Sequence, residues 1–433
     1  MRPALPLVVA LLGWAALGLL ASADLLPARG WAWAGGLLAL VAAVDALRLR
    51  RLPLPDAARR MPDALPVGVV RDIALLLDNG AATLRVDVHD LHPVGWQADG
   101  LPRTLSLAPH SETRIDYTLR PLERGDAVFA GIHLRLHAPW RLWRRTVVLG
   151  TPQAVRVFPN FAPLAKFALL GSEQASRAIG AHVRRRRGEG TDFHQMRDYR
   201  VGDSLRRVDW KATARMRRLI SREYQDERNQ HLVLLLDTGQ RMLARDGALS
   251  HFDQALDAAL VVAWLALRQG DAVGLLASGG AQRWVPPQRG AGAIDVLLRQ
   301  TYDLQPQPLA TDYLAAATDL SLRQRRRSLV MLVTNLRDED ADDLLPAVRM
   351  LQQRHHVVVA SLREQILDAV LEDPVRDLRG AVRAAAAASY LQQRAAAHEA
   401  LRAQRVDVLD VTCAQLPAAL VERYLAIKRG GLL

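Results

Sequence analysis

The sequence predicts three structural parts: an N-terminal two-helix membrane hairpin, a small antiparallel β-sandwich, and a doubly wound α/β domain at the C-terminus. Two uncharged apolar runs lie near the start of the chain, and residues of alternating polarity follow as far as residue 158. From His231 onward, short apolar runs alternate with helical patterns. We therefore predict parts at 1–50, 66–158 and 231–433, with a distinctive segment at 170–230.

The two N-terminal runs are candidate membrane spans. The first, Pro3 to Ala23, has about the 20 residues that a helix needs to cross a bilayer. The second, Gly30 to Val44, begins with Trp31 and Trp33, as in an interfacial aromatic belt. A signal peptide cleaved after residue 23 is the competing interpretation of the first run, and the second run argues against it. The second run could instead be an interfacial helix.

The charges that flank the two runs predict the orientation of the hairpin. Five arginines follow the second run, at positions 48, 50, 51, 59 and 60, whereas the connection between the runs holds only Asp24 and Arg29. The positive-inside rule then places everything after residue 47 in the cytoplasm, so we expect a bacterial inner-membrane protein. The single cysteine, Cys413, excludes an internal disulfide and agrees with a reducing compartment; we expect an inert, partly buried thiol.

The net charge of the chain is positive, with 57 Lys and Arg against 45 Asp and Glu, a formal charge of +12. Such a charge suits nucleic acid or anionic lipid as a partner. The excess is spread along the chain, which argues against a dedicated nucleic-acid binder. The cluster Arg184 to Arg187 is the best candidate for a phosphate contact, although a solvated basic loop is the favoured interpretation.

The middle of the chain has the period of two that is typical of half-buried strands, for example in Leu84 to Val88 and Ile132 to Leu136. Several short strands separated by turn residues predict the antiparallel sandwich. His133 and His137 project from one side of a strand and could bind a metal. The favoured interpretation is that they occupy the polar phase of that strand.

The C-terminal part reads as alternating strands and helices. Leu232 to Leu236 is a continuous apolar run that ends at Asp237, which is typical of a buried parallel strand, and a helical pattern from Phe252 to Leu267 follows. Four more strands are predicted, at residues 272–277, 329–334, 357–362 and 406–411. The functional edge of such a sheet lies beyond the carboxyl ends of its strands, where we expect Asp237 and Asn335. The alanine-rich stretch from Asp373 to Arg405 is predicted to be a peripheral helix without a function.

The most distinctive stretch of the chain lies between the β part and the α/β part. It comprises Gly190, Thr191, Asp192, Phe193, Arg197, Asp198, Tyr199, Gly202, Asp203, Arg206, Asp209, Trp210, Lys211, Ala214, Arg215, Arg222, Glu223, Tyr224 and Glu227. This signature resembles that of the bacterial family called domain of unknown function 58. Asp192 stands where the family pattern leads us to expect Glu. The two spans, the β part and a von Willebrand factor A-like C-terminal domain match the layout of the family over almost the whole chain.

The resemblance implies a chaperone-like or assembly role with a MoxR-type AAA+ ATPase as the partner, because members of the family are often encoded beside such ATPases. The signature alternates Arg with Asp and Glu, so guanidinium–carboxylate pairs could simply fix the segment against the α/β domain. The same ordered surface could also serve as a docking face, since Arg, Tyr and Trp are enriched at binding hot spots.

Von Willebrand A domains often bind Mg²⁺ through an Asp-x-Ser-x-Ser loop, a later Thr and a distal Asp. Here the loop is Asp237-Thr238-Gly239-Gln240-Arg241, so both serines are absent and a cation replaces the second. Thr311 is the candidate Thr, although it also precedes a helix N-cap, and Asn335 stands at the position of the distal Asp. We therefore predict a degenerate site that binds no Mg²⁺.

The sequence contains no P-loop, no His-Glu-x-x-His, no cysteine cluster and no Gly-x-Ser-x-Gly elbow. We therefore expect no enzymatic activity, no cofactor and no small-molecule substrate. The predicted function is that of a membrane-anchored adaptor protein. The alternative is a membrane-associated regulator whose basic loops bind anionic lipid or nucleic acid.

Overall fold

The computed structural model describes residues 1–23, 27–163, 165, 192–200, 208–225, 230–247 and 249–431. The chain divides into two compact units, Met1–Phe158 and Pro159–Leu433. The Arg184 to Arg187 cluster lies outside the described residues.

Unit 1 begins with the two predicted apolar helices, α1 (Leu5–Ser22) and α2 (Ala28–Arg51). Both are long and apolar enough to cross a membrane, and their side chains are mostly exposed within unit 1. The Trp14 and Trp31 rings stack with centroids 4.8 Å apart, and each indole Nε1 donates to the other residue's carbonyl oxygen at 3.1 Å. A Cβ built on Gly35 would lie 2.6 Å from the Trp14 ring, so this position requires glycine for the close approach.

The rest of unit 1 is a β structure. Its strands are β1 (Arg2–Pro3), β2 (Asp56–Arg60), β3 (Ala64–Pro66), β4 (Arg71–Asn79), β5 (Leu84–Asp90), β6 (Gln97–Asp99), β7 (Arg103–Leu107), β8 (Ser111–Arg120), β9 (Gly125–Phe129), β10 (Ile132–His137), β11 (Trp143–Leu149) and β12 (Gln153–Phe158). They form sheets with the orders β1-β11-β10-β5-β7, β2-β4-β8-β6 and β3-β12-β9. All pairs are antiparallel except β3 with β12.

One apolar core lies within unit 1 and explains the alternation in the sequence. The apolar residues of β5 and β10 are buried, and the polar residues that alternate with them are half-buried or exposed; the last residue of β5, Asp90, is buried and accepts from Arg59 and Tyr117. His137 lies in that polar phase, where its Nε2 is 3.0 Å from Asp87 Oδ2. Among the described residues, the histidines of unit 1 do not form a cluster that could hold a metal ion.

Unit 2 is a mixed α/β structure. Its strands are β13 (Asp192–Asp198), β14 (Ile220–Gln225), β15 (His231–Asp237), β16 (Arg245–Asp246), β17 (Leu249–Ser250), β18 (Ala272–Ser278), β19 (Arg283–Gln288), β20 (Leu329–Thr334), β21 (His356–Arg363) and β22 (Asp407–Thr412). Its helices are α3 (Trp210–Met216), α4 (His251–Arg268), α5 (Ala293–Thr301), α6 (Tyr313–Arg323), α7 (Ala341–Gln352), α8 (Gln365–Glu372), α9 (Leu378–Ala403) and α10 (Leu416–Gly430).

Six strands form the central sheet in the order β19-β18-β15-β20-β21-β22, and all are parallel except the edge strand β19. Successive residues of β15 belong alternately to two apolar cores, one packed against α4 and α10 and the other against α6 and α7. Helices therefore cover both faces, which explains why β15 and β20 are continuous apolar runs. The five strands and the helix predicted in this part are confirmed within a residue or two.

The alanine-rich stretch forms a helix, as predicted, but the prediction that this helix is peripheral is wrong for its second half. α9 is a helix, but from Ala387 onward one face of it is buried, including Arg394 at 1% exposure and His398 at 2%. Tyr390, Arg394 and His398 are spaced by four residues and so share one face of the helix. Ala387, Ala397 and Leu401 are also buried in this part of the helix. Because alanines lie on the exposed side as well, an apolar periodicity could not reveal the buried face.

Candidate functional site

The carboxyl ends of β15 and β20 enclose the buried carboxylate of Asp237, as the sequence predicts. Asp237 Oδ1 accepts hydrogen bonds from Thr311 Oγ1 at 2.5 Å and from the amide of Gly239 at 2.7 Å. Its Oδ2 accepts from Thr334 Oγ1 at 2.6 Å and from the Tyr313 hydroxyl at 3.1 Å. Four donors therefore satisfy the carboxylate, so its burial needs no further ligand.

Tyr313 and Thr334 complete this arrangement, and sequence analysis missed both. Their hydroxyl oxygens lie 2.9 Å apart, and each also contacts Asp237. Burial raises the pKa of Tyr313, and the negative charge of Asp237 raises it further. The Tyr313 hydroxyl is therefore a neutral hydrogen-bond donor to the carboxylate.

The residues of the predicted metal loop, Asp237 to Arg241, do not fit a Mg²⁺ ion. A Mg²⁺ site requires free oxygen ligands in an octahedral arrangement. Here the Thr311 hydroxyl is itself directed to Asp237, and the Asp237 oxygens already accept four hydrogen bonds. Arg241, at the end of this loop, pairs with Glu339 at 2.6 Å and with Asp340 at 3.3 Å.

Asn335, which the sequence analysis compares with the distal Asp of a metal site, lies beside the buried Arg394. Its Oδ1 accepts from Arg394 Nη1 at 3.2 Å, and its Nδ2 donates to Glu364 Oε1 at 2.8 Å. The Arg394 guanidinium also donates to the Leu336 carbonyl at 2.8 Å, Ser361 Oγ at 2.6 Å and Asp410 Oδ1 at 3.1 Å. One guanidinium thus joins the ends of β20, β21 and β22.

His398 lies one helical turn after Arg394, and its imidazole is neutral at pH 7 because its pKa is lowered. Burial lowers the pKa of His398 to about 4, and the adjacent positive charge of Arg394 acts in the same direction. Asp410 Oδ2 lies 3.7 Å from His398 Nδ1, and its charge opposes this shift without overcoming it. Asp410 therefore has Arg394, rather than His398, as its cationic partner.

A second buried polar group lies near the same sheet edge. His251 Nε2 is 3.2 Å from Asp246 Oδ2, and one ligating atom each of Asp246, His251 and Cys413 lie within 4.8 Å of one another. Burial raises the pKa of the Cys413 thiol to about 12, with the negative charge of Asp246 acting in the same direction. A thiol with this pKa is a poor nucleophile, as the sequence led us to expect.

The signature segment forms a hairpin and a short helix where the structure describes it. β13 and β14 pair antiparallel, and the buried Asp209 caps α3 by accepting from the Ala212 amide at 3.0 Å. The amide of Ile220 donates to Thr213 Oγ1 at 3.0 Å, which ties α3 to β14. The helix presents Trp210 at 65% exposure, followed by the exposed Lys211 and Arg215.

The remaining signature residues are only partly described. Arg197 and Tyr199 are half-buried, and Arg197 Nη1 donates to the Asp198 carbonyl at 3.0 Å. Arg222 and Glu223 lie in β14. Six signature positions lie outside the described residues: Gly190, Thr191, Gly202, Asp203, Arg206 and Glu227.

Comparison with known proteins supports the resemblance over the C-terminal half. The family model described as "Protein of unknown function DUF58" matches residues 195–407. The match includes most of the signature and every strand of the central sheet except β22, of which it contains only the first residue. The resemblance is therefore confirmed over that range.

Two relatives of the chain are described as uncharacterized proteins. The chain is 25% identical over 204 residues to the protein Rv1480 of Mycobacterium tuberculosis, a match covering 45% of this chain and 64% of that protein. It is 23% identical over 251 residues to YeaD of Bacillus subtilis, covering 58% of this chain and 55% of that protein. The chain thus spans less than two thirds of the length of each.

Solved structures give weaker likenesses. One is an aerotolerance-related membrane protein from Bacteroides fragilis, with 15% identity, 46% coverage of this chain, 98% coverage of that chain and a TM-score of 0.29. Another is the cupredoxin domain of amoB from Nitrosocaldus yellowstonii, with 13% identity, 25% and 87% coverage, and a TM-score of 0.18.

Proposed function

We propose that this chain is a membrane-anchored, non-enzymatic adaptor of the domain of unknown function 58 family, with a von Willebrand A-like C-terminal unit that binds a partner protein. Its partner is a MoxR-type AAA+ ATPase, and its role is in chaperoning or assembly. The hairpin α1–α2 anchors it in the bacterial inner membrane, and the remainder faces the cytoplasm.

The observation that carries the proposal is the exposed apolar surface of the signature segment. Trp210 is 65% exposed, and Met196, Met216 and Leu219 of the same segment are also exposed. Large apolar side chains displayed beside arginines are the residue types that dominate protein–protein interfaces. Asp209 caps α3, and two hydrogen bonds tie the helix to β14: the Ile220 amide donates to Thr213 Oγ1, and the Asp209 amide donates to the Ile220 carbonyl. Trp210 is therefore held on an ordered scaffold and would lose little entropy on binding.

The reactive side chains at the carboxyl edge of the central sheet favour a binding role over a catalytic role. Asp237 is the carboxylate at the position where a reactive or metal-binding group is expected, and protein donors satisfy it. The Cys413 thiol has a raised pKa and is buried. Neither group is suited to act as a nucleophile or a general base at neutral pH.

Membrane anchoring is supported by the two apolar helices and by the arginines that follow the second. The cytoplasmic orientation follows from the positive-inside rule. The identity of the partner rests on the family resemblance alone.

The test is affinity purification of the tagged, detergent-solubilised full chain with and without ATP, followed by mass spectrometry. We expect a MoxR-type ATPase to be retained, and Trp210→Ala to lower its recovery by about 30-fold, as for a hot-spot residue. Leu322→Ala removes an equally exposed side chain from α6 and is the matched control, which should retain the ATPase.

Both variants must keep the wild-type circular dichroism spectrum and thermal midpoint. Absence of any MoxR-type ATPase from the wild-type eluate would refute the proposed partner. Equal recovery by Trp210→Ala and wild type would refute the proposed surface. Retention of anionic lipid or nucleic acid without a protein partner would favour the basic-loop alternative.

A further inference from the structure

The base of the helical hairpin is built into the β structure of unit 1. β1 precedes α1 directly and pairs with β11, with Arg2 opposite Arg144 and Pro3 opposite Trp143. The Asp45 carboxylate of α2 accepts from the backbone amides of Trp140 and Leu142, both at 3.0 Å. The amide of Ala4, directly before α1, donates to the carbonyl of Leu142 at 2.8 Å. The bases of both helices therefore meet the β10–β11 connection, residues 138–142.

This connection lies at the end of the uncharged part of α2. Trp143 Nε1 donates to the carbonyl of Ala42 at 2.9 Å, inside the uncharged run, and Asp45 is the first charged residue after it. One helical turn, about 5 Å of rise, separates these two contacts. If α2 spans a membrane, the β10–β11 connection must lie at the level of the lipid headgroups.

The side chains at this level have the composition of a membrane interface. Trp140 is 45% exposed, and the Arg48 guanidinium lies 4.6 Å from the centroid of its ring. The cationic side chains of the region are Arg2, Arg48, Arg141, Arg144 and Arg145, and none of them forms an ion pair with a carboxylate of the described residues. Asp45 is fully buried, so its charge is not presented at this surface.

Tryptophan and arginine favour the headgroup region for different reasons. The indole ring is apolar with one polar edge, and the guanidinium can hold a phosphate through two parallel hydrogen bonds. Cations near a leaflet that contains anionic lipid are attracted over about a Debye length. A cluster of arginines without carboxylate partners next to an exposed tryptophan therefore fits anionic phospholipid headgroups.

We propose that residues 138–145, together with Arg2 and Arg48, form a membrane-contact surface that binds anionic phospholipid headgroups. This inference rests on the membrane anchoring in the proposed function and is independent of the protein partner. Because this surface is hydrogen-bonded to α2 and to the strand before α1, headgroup binding there would hold unit 1 against the membrane.

The test uses the full chain in lipid nanodiscs and single fluorescent labels on introduced cysteines, in a Cys413→Ser background. Pro139→Cys places the label beside Trp140 and leaves the tryptophan and the arginines of the surface unchanged. Val94→Cys is the matched control, because Val94 is 99% exposed in the same unit. Leu12→Cys, in the middle of α1, reports on membrane insertion.

With nitroxide quenchers on the lipid headgroups, we expect strong quenching at position 139 and little at position 94. With quenchers in the acyl chains, the label at position 12 should be quenched. Replacing phosphatidylcholine by phosphatidylglycerol should increase quenching at position 139, and combined Arg48→Gln, Arg141→Gln and Arg144→Gln should abolish that increase.

The possible failures are distinguishable. Quenching at position 12 but equal, low quenching at positions 139 and 94 overturns this surface while the anchor stands. Equal quenching at position 139 in both lipids overturns the anionic headgroup as ligand. No quenching at position 12 overturns the membrane anchoring, and with it this inference.

Discussion

Replacing Arg394 by methionine should loosen the ends of three strands at once. Methionine keeps an unbranched apolar side chain in the space of the arginine but removes all the donors. The change leaves the Asp410 carboxylate without its buried cationic partner. It also leaves Ser361 Oγ and the Leu336 carbonyl without a hydrogen bond that the structure gives them.

The expected cost follows from the burial of the two partners. Arg394 is 1% exposed, whereas the Asp410 side chain is 29% exposed and keeps part of its hydration. Breaking a buried ion pair costs about 3–5 kcal/mol, so the partial exposure of Asp410 indicates the lower end, about 3 kcal/mol. A loss of this size raises the population of locally opened strands by about 100-fold.

Hydrogen exchange measured by mass spectrometry on the detergent-solubilised full chain reports on this local opening. The amides of β20 and β21 should exchange about 100-fold faster in Arg394→Met, while those of unit 1 should not change. The matched control is Arg402→Met on the same helix, where the side chain is 50% exposed and pairs only with Glu399. Such an exposed pair contributes about 0–1 kcal/mol, so exchange should change by less than about fivefold.

A double-mutant cycle separates the ion pair from the packing. Adding Asp410→Asn to Arg394→Met removes the unpaired carboxylate and should restore part of the protection. Unchanged exchange in Arg394→Met would show that the guanidinium does not hold these strand ends together.

Three further predictions concern other parts of the chain. Gly35→Ala places a methyl group against the Trp14 ring and should destabilise the hairpin by about 1–3 kcal/mol. Gly36→Ala is the matched control and should not destabilise it, because a Cβ at Gly36 meets nothing within 4 Å. Equal thermal midpoints of the two variants in detergent would contradict this prediction. The pKa of His398 is lowered to about 4 in the fold, so the stability that its neutral form contributes is present above about pH 6.5 and lost as the pH falls toward 4. The His398→Gln variant should show a smaller drop in thermal midpoint between pH 7 and pH 5 than wild type, and equal drops would exclude this residue as the cause. Calorimetric titration with Mg²⁺ should show no stoichiometric binding in the micromolar range, and such binding abolished by Asp237→Ala would disprove the degenerate site.

The parallel strands were predictable because burial on both faces leaves a continuous apolar run between polar ends. β19 was not predictable, because Pro286 and Pro287 lie within it and proline cannot donate to a sheet. It occurs as an antiparallel edge strand, beside which Gly274 provides room: a Cβ there would lie 2.9 Å from the Pro287 ring. The prolines are tolerated because, among the strands that the structure describes, none pairs with the outer side of β19.

The candidate site was predicted only in part. Asp237 and Asn335 follow apolar strands, so their place at the sheet edge follows from the pattern. Arg394 is 59 residues from Asn335 in the sequence, and nothing local indicates that the two meet. The spacing of Tyr390, Arg394 and His398 by four residues was the available signal, since it places a polar stripe on an otherwise alanine-rich helix.

The contact between Trp14 and Trp31 is reciprocal, because each helix supplies one ring, one carbonyl acceptor and one nearby glycine. The same contacts could form with a helix of the same chain or with a helix of a second copy. The connection between Ser22 and Ala28 is short, so the helices of one chain meet at a high effective concentration and close on each other first. Lengthening that connection would lower this advantage, and the same contacts would then hold two exchanged chains together as a swapped dimer.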